Sequence, residues 1–193
     1  MRITFRAWLD DPPAMTSFFA LLALGCNAFT FMVLVAGFTR AGRHAIGTAV
    51  GPIVLPLASV VAITTLFGSL YLSERLHYLP CKLCWYQRIA AYPLAVLLPI
   101  AWFRRDGGVR AGVAVLAALG SVVSVYHLLI ERYPWLSTSS SCEVDNPCSI
   151  TWVKHFGFVT IPWMALAASL LQLALVAAGH WYRSAPDVME STR

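Results

Sequence analysis

The chain has 193 residues, 59% of them apolar and 12% charged, which is about half the charged share of a soluble domain. That deficit excludes an ordinary soluble fold and points to an integral membrane protein. The net charge of +5 is no argument for nucleic acid, because the arginines stand at the ends of apolar runs, where they anchor and orient helices in a bilayer.

Five segments approach the roughly 20 apolar residues that a helix needs to cross the hydrocarbon core. The first runs from about Phe18 to Phe38 and reads as an uncleaved helix, since its apolar core exceeds that of a signal peptide. It contains Cys26, which reads as a small buried hydrophobe. The second runs from Val50 to Leu72, after a link carrying Arg40, Arg43 and His44. The third is Trp85 to Phe103, the fourth Gly112 to Ile130, and the fifth Phe158 to Ala178. Pro52, Pro56, Pro93 and Pro99 fall inside spans, which membrane helices tolerate. Arg104, Arg105 and Arg110 link the third and fourth spans, and Gly108 and Gly112 form a lone GxxxG that reads as helix packing. The connections 73–84 and 131–157 hold the cysteine pairs Cys81/Cys84 and Cys142/Cys148.

Two crossings separate the cysteine pairs, so both are expected on one side of the membrane, opposite the Arg104–Arg105–Arg110 loop. The positive-inside rule makes that loop cytoplasmic and puts both pairs on the oxidising side, where disulfides persist. The N-terminus, with Arg2 and Arg6, is then outside, and the tail with Arg183 is cytoplasmic. The chain divides into residues 1–49 (tail, first span and basic link), a membrane domain over 50–182, and a cytoplasmic tail over 183–193.

The strongest motif is Pro80-Cys81-Lys82-Leu83-Cys84-Trp85-Tyr86-Gln87-Arg88. Two cysteines three apart can close a reducible disulfide, and nearby positive charge or a helix N-terminus favours the reactive thiolate. Lys82 lies between them, and a helix starting near Cys84 would put that sulfur at its partly positive end. Arg88 follows one turn later on the same face. It reads either as an interfacial anchor or as a cation facing an electron acceptor, stabilising the negative charge that reduction develops. Cys142 and Cys148 could bond across an Asp145-Asn146-Pro147 turn, as a static staple or as the outer half of a relay. In a relay, the pair in the longer loop suits a soluble partner and the pair at a helix edge suits a membrane acceptor. A four-cysteine zinc site is the chemical rival, but the Cys-x₅-Cys spacing is unusual for it and no metal is assigned. A c-type haem is disfavoured because Trp85, not histidine, follows Cys84. His127, near the end of the fourth span, reads as a packing residue or as a polar contact or proton route for the acceptor.

Over roughly residues 64–178 these motifs, with Gly68-Ser69-Leu70-Tyr71, Tyr126-His127, Pro147-Cys148 and Phe156-Gly157-Phe158-Val159-Thr160-Ile161-Pro162, resemble the DsbB family of disulfide-bond formation proteins, and within it the shorter BdbC-like branch. The resemblance implies an all-α membrane fold: a four-helix DsbB-like bundle from spans two to five, plus one extra N-terminal transmembrane helix. It implies a bacterial inner membrane, with the cysteine loops facing the periplasm or cell exterior. It further implies that Cys142 forms a mixed disulfide with a thioredoxin-like DsbA-type partner and that Cys148 is its pair mate. Electrons would pass to Cys81/Cys84 and then to a quinone, ubiquinone or menaquinone, bound near Cys84, Arg88 and His127. A vitamin K epoxide reductase-like protein is the rival enzyme, but there the loop pair precedes the Cys-x-x-Cys, whereas here it follows. A non-catalytic membrane assembly protein with structural disulfides is the remaining alternative. It predicts cysteines that stay oxidised whatever reductant or quinone is offered.

Overall fold

A computed structural model describes residues 12–137, 142 and 146–184. Arg2, Arg6, residues 143–145 with Asp145 of the expected turn, and the tail beyond residue 184 lie outside the described residues. Among the described residues the chain is all-α, with six α-helices: α1 (Pro12–Gly37), α2 (Arg40–Val50), α3 (Val54–Leu70), α4 (Lys82–Arg104), α5 (Arg110–Arg132) and α6 (Ile161–Arg183). Five units are long and apolar enough to cross a membrane, with α2 and α3 counted as one unit, Arg40–Arg75. Helices suit that setting because every backbone group is satisfied within its own segment.

The basic link expected between the first two spans is not a loop. Thr39 caps α2, its Oγ1 accepting from the Gly42 amide at 3.0 Å, and the helix carries Arg40, Arg43 and His44 before a 3₁₀ turn at Gly51–Ile53 leads into α3. A good N-cap offsets the unsatisfied amides of a first turn, so the chain turns back at once. Two other expectations change. The fifth span begins at Ile161, three residues late, because His155 and Val159 pair in an isolated bridge just before it and Pro162 suits the first turn of a helix. Gly108 sits in a 3₁₀ turn capped by Asp106, and Gly112 meets nothing within 4 Å of where a Cβ would stand. The GxxxG therefore packs no helix here.

Helices α3, α4, α5 and α6 form a closed ring: α3 on α4, α4 on α5, α5 on α6, and α6 back on α3, the last seam being the thinnest. Leu94, Leu98, Val113, Leu171 and Leu175 fill its centre with Val54 and Ala58. Helices α1 and α2 lie outside the ring against α6. At one end of α6, Gly47 comes so close that a Cβ would stand 3.0 Å from the Tyr182 amide nitrogen, and a Cβ at Gly51 would overlap the Tyr182 ring. At the other end Thr16 donates to the Pro12 carbonyl at 2.8 Å and accepts from His155 Nε2 at 2.9 Å, which fastens the start of α1 to the loop before α6. Both cysteine pairs sit at this second end; Arg104, Arg105 and Arg183 lie at the first.

Candidate redox site

Cys81 is the N-cap of α4. Its backbone is extended and its Sγ accepts from the Cys84 amide at 3.4 Å. The helix thus begins at Lys82, not at Trp85, and the sulfur at its positive end is that of Cys81 rather than Cys84. Cys84 Sγ lies 3.1 Å from Cys81 Sγ, and both cysteines are thiols. On the far side, His127 Nε2 lies 3.7 Å from Cys81 Sγ and 3.1 Å from the Cys148 carbonyl oxygen. A carbonyl can only accept, so Nε2 carries the hydrogen and shares it between that oxygen and the sulfur. The Cys84 thiol, and after it the His127 ring, lower the Cys81 pKa to about 4 against a burial effect that raises it.

Cys142 and Cys148 are joined in a disulfide, with Cα atoms 5.7 Å apart. They share one buried cluster with Cys81, Leu83 and Ile130. Asn146 donates to the Pro80 carbonyl at 3.2 Å, which ties the loop to the residue before Cys81. A small cavity beneath the loop is lined by Cys81, Cys84, His127 and Glu131. Glu131 accepts from Thr160 Oγ1 at 2.8 Å and stands one helical turn from His127.

A second cavity, of about 270 Å³, opens on the other side of the inner pair. Cys84 lines it, together with Ser69, Gln87 and Arg88, whereas Cys81 and His127 do not. Arg88 donates from Nε to Ser69 Oγ at 3.0 Å and from Nη2 to the Ser69 carbonyl at 3.2 Å. Its guanidinium lies over the Trp85 ring at 5.1 Å and the Tyr92 ring at 6.0 Å, contacts that favour a partly desolvated cation. Tyr92 also donates to Ser69 Oγ, at 3.2 Å. That oxygen accepts twice, which leaves its own hydrogen free to donate. Deeper in, Gln172 donates to the Ala58 carbonyl at 2.9 Å, while its buried Oε1 has no donor. Cys26, expected to be a buried packing residue, is only half-buried and lines this cavity.

The structure therefore gathers Cys81, Cys84, Cys142, Cys148 and His127 into one cluster and sets Arg88 on the cavity side of Cys84. The sulfurs of Cys81 and Cys84 and a His127 nitrogen lie within 4.8 Å of one another. The four-cysteine set weighed as a zinc site is not assembled, because Cys142 and Cys148 are bonded to each other. Sequence reasoning missed Ser69, Gln87 and Glu131. Ser69 stood inside a quoted motif without a role. Glu131 is an acid four residues from His127 at the end of an apolar span, a signal that was available. Gln87 also stood inside a quoted motif without a role, and its burial and its donation to Ser124 at 3.0 Å inside the bundle are revealed only by the fold.

Residues 52–179 match the family described as "Disulfide bond formation protein DsbB". The chain belongs to that family. It is 44% identical to "Disulfide bond formation protein C" of Bacillus subtilis over 58% of this chain and 81% of the relative. It is 39% identical to "Probable disulfide formation protein C" of Halalkalibacterium halodurans over 58% and 82%, and 40% identical to "Probable disulfide formation protein" of Coxiella burnetii over 61% and 80%. No solved structure matches it. As a DsbB-family member with five membrane-spanning units, it is a multi-pass membrane thiol oxidase that serves disulfide bond formation.

Proposed function

We propose that this chain oxidises a thioredoxin-like DsbA-type partner outside the cytoplasm and hands the electrons to a quinone, ubiquinone or menaquinone, in a bacterial inner membrane. One observation carries the reading: Cys84 touches Cys81, which packs against the Cys142–Cys148 disulfide, and also lines the apolar cavity beside Arg88. A partner dithiol attacks the loop disulfide through a mixed disulfide on Cys142. The partner leaves oxidised and Cys142 and Cys148 become thiols. The loop dithiol then reduces the Cys81–Cys84 disulfide and regains its own bond. Each transfer moves two electrons and two protons.

The cavity residues fit a quinone. Its walls are mostly apolar, a cation and a free hydroxyl hydrogen stand at one end beside Cys84, and the buried Gln172 Oε1 lacks a donor. A bound quinone supplies an acceptor for two electrons and two protons. Arg88 and the Ser69 hydroxyl would hold a quinone oxygen, and the apolar walls exclude water. As the inner disulfide re-forms, the two electrons of the Cys81–Cys84 pair would pass to the quinone from the Cys84 side, and Cys81, held as a thiolate, would be the sulfur that closes the bond. His127 serves from behind the pair, through Cys81. On this reading the cysteine end faces outward and the Arg104–Arg105 end faces the cytoplasm, residues 50–182 form the DsbB-like domain, residues 1–49 are an addition to it and residues 183–193 are its cytoplasmic tail. Purified protein, given a reduced thioredoxin-like partner and a quinone, should form one quinol for each partner disulfide. Partner oxidation without quinol, or no oxidation at all, would overturn the reading.

A further inference from the structure

Helix α1 lies wholly outside the residues matched to the family, yet it reaches the acceptor cavity. Phe19, Leu22, Ala23 and Cys26 line that cavity, at positions i, i+3, i+4 and i+7, which form one stripe along a helix. Since α1 is not part of the ring, a cavity that holds both Cys84 and this stripe must leave the ring between two helices. The linings fix which two. Thr65 and Gly68 belong to α3, and Ala165 and Ala168 belong to α6. These small residues flank the thinnest seam of the ring, and α1 packs along α6 beside it. The cavity thus has a polar end inside the ring, at Cys84, Arg88 and Ser69, and an apolar arm that passes through the α3–α6 seam to α1. Along α3 and the π turn that follows it, Tyr71–Arg75, it extends from Val60 to Ser73, about 20 Å at the helical rise.

We propose that α1 is the wall of a lateral portal and that its stripe binds the polyprenyl tail of the lipid-soluble acceptor. The inference rests on the quinone reading above. A ring system held at Cys84 and Arg88 needs an exit for its tail, and the seam is the apolar route continuous with that site. Phe19 closes the upper end of the portal. It packs on Gly68, where a Cβ would stand 3.1 Å from the Phe19 ring, and its ring centroid is 6.1 Å from that of Tyr71. Ala23 and Cys26 leave room below it. Without α1 the same seam would open directly to lipid, so α1 makes the site selective for tail shape in a way the four-helix core alone does not.

The test is binding, read from tryptophan quenching in the purified full-length protein, since Trp85 stacks on Arg88. The probes are a tail-less quinone and the same ring with a long polyprenyl tail. Ala23→Phe fills the arm and should weaken the tailed quinone about tenfold, with the tail-less quinone changed less than twofold. Cys26→Trp blocks the stripe one turn deeper and should act alike, which keeps the test open if Ala23→Phe does not accumulate. Equal effects on the two quinones, or none on either, would overturn the role of α1 and leave the quinone reading standing. Weakening of the tailed quinone that added phospholipid reproduces in the unmodified protein would also overturn it, by making the arm an acyl-chain site. If the unmodified protein binds neither quinone, the acceptor reading fails and this inference falls with it.

Discussion

Arg88 and Cys81 are the residues whose behaviour separates a redox site from a membrane anchor. The sequence places Arg88 one turn from Cys84, which is legible from spacing alone. Its hold on Ser69, nineteen positions earlier, is not, because it depends on α3 packing against α4. Arg88→Ala should slow quinone reduction about a hundredfold, the scale of losing one charged donor at developing negative charge, with exchange at Cys142 nearly unchanged. Stopped-flow reduction with and without the partner checks this, and an unchanged quinone rate would return Arg88 to the role of an anchor. Arg88→Lys should recover only part of the rate, since an ammonium cannot bond Ser69 twice while stacking on Trp85. For Cys81 the argument is one of pH. Its folded pKa lies far below the ordinary thiol range, through the Cys84 thiol first and His127 next. A depressed pKa stabilises the reduced fold fully above the ordinary thiol value, and that contribution is lost as pH falls towards about 4. Alkylation of reduced Cys81 should therefore stay fast through neutral and mildly acid pH and decline only near about 4. His127→Ala should shift the decline upward. A profile centred on the ordinary thiol range in the unmodified protein would refute the assignment.

At the scale of elements, the spans are legible because hydropathy is summed over whole helices, whereas their ends are set by single bonds. The start of α4 was misplaced because a cysteine thiol, outside the usual set of capping side chains, does the capping. The α2 helix was hidden because its composition is that of a loop, with Arg40, Gly42, Arg43 and Gly47. Only Thr39 as a cap and the contact of Gly47 and Gly51 with Tyr182 explain it. That contact makes a prediction. Gly51→Leu forces a side chain into the Tyr182 ring and should cost about 1–3 kcal/mol, typical of overpacking, while leaving the cysteine end intact. A lowered thermal midpoint with unchanged Cys142 reactivity is the expected result. An unchanged midpoint would mean that α2 is not seated on α6.

For the whole molecule, the arrangement predicts order. Replacing Cys81 or Cys84 should stop quinone reduction and still allow a mixed disulfide between the partner and Cys142. Replacing Cys142 or Cys148 should stop partner oxidation while a small dithiol, reaching the inner pair directly, still drives quinol formation. Full turnover after deletion of either pair would make that pair structural. In intact cells, a membrane-impermeant thiol reagent applied after mild reduction should label Cys142, and labelling only in broken cells would invert the topology. The crossing parity behind this prediction was readable from the sequence. The adjacency of the pairs was not, because it is made by Asn146 on Pro80 and by His127 between two chain segments.

The hydrogen on His127 Nε2 has two claimants, the Cys148 carbonyl and the Cys81 sulfur, so the loop and the inner pair share one donor. While the loop is seated, the carbonyl takes part of that hydrogen, and the histidine's support of a Cys81 thiolate is partial. Were the carbonyl drawn away, the hydrogen would fall wholly to the sulfur and favour the thiolate further. The histidine would then act as a rheostat, with the position of the outer loop setting the charge on the inner sulfur.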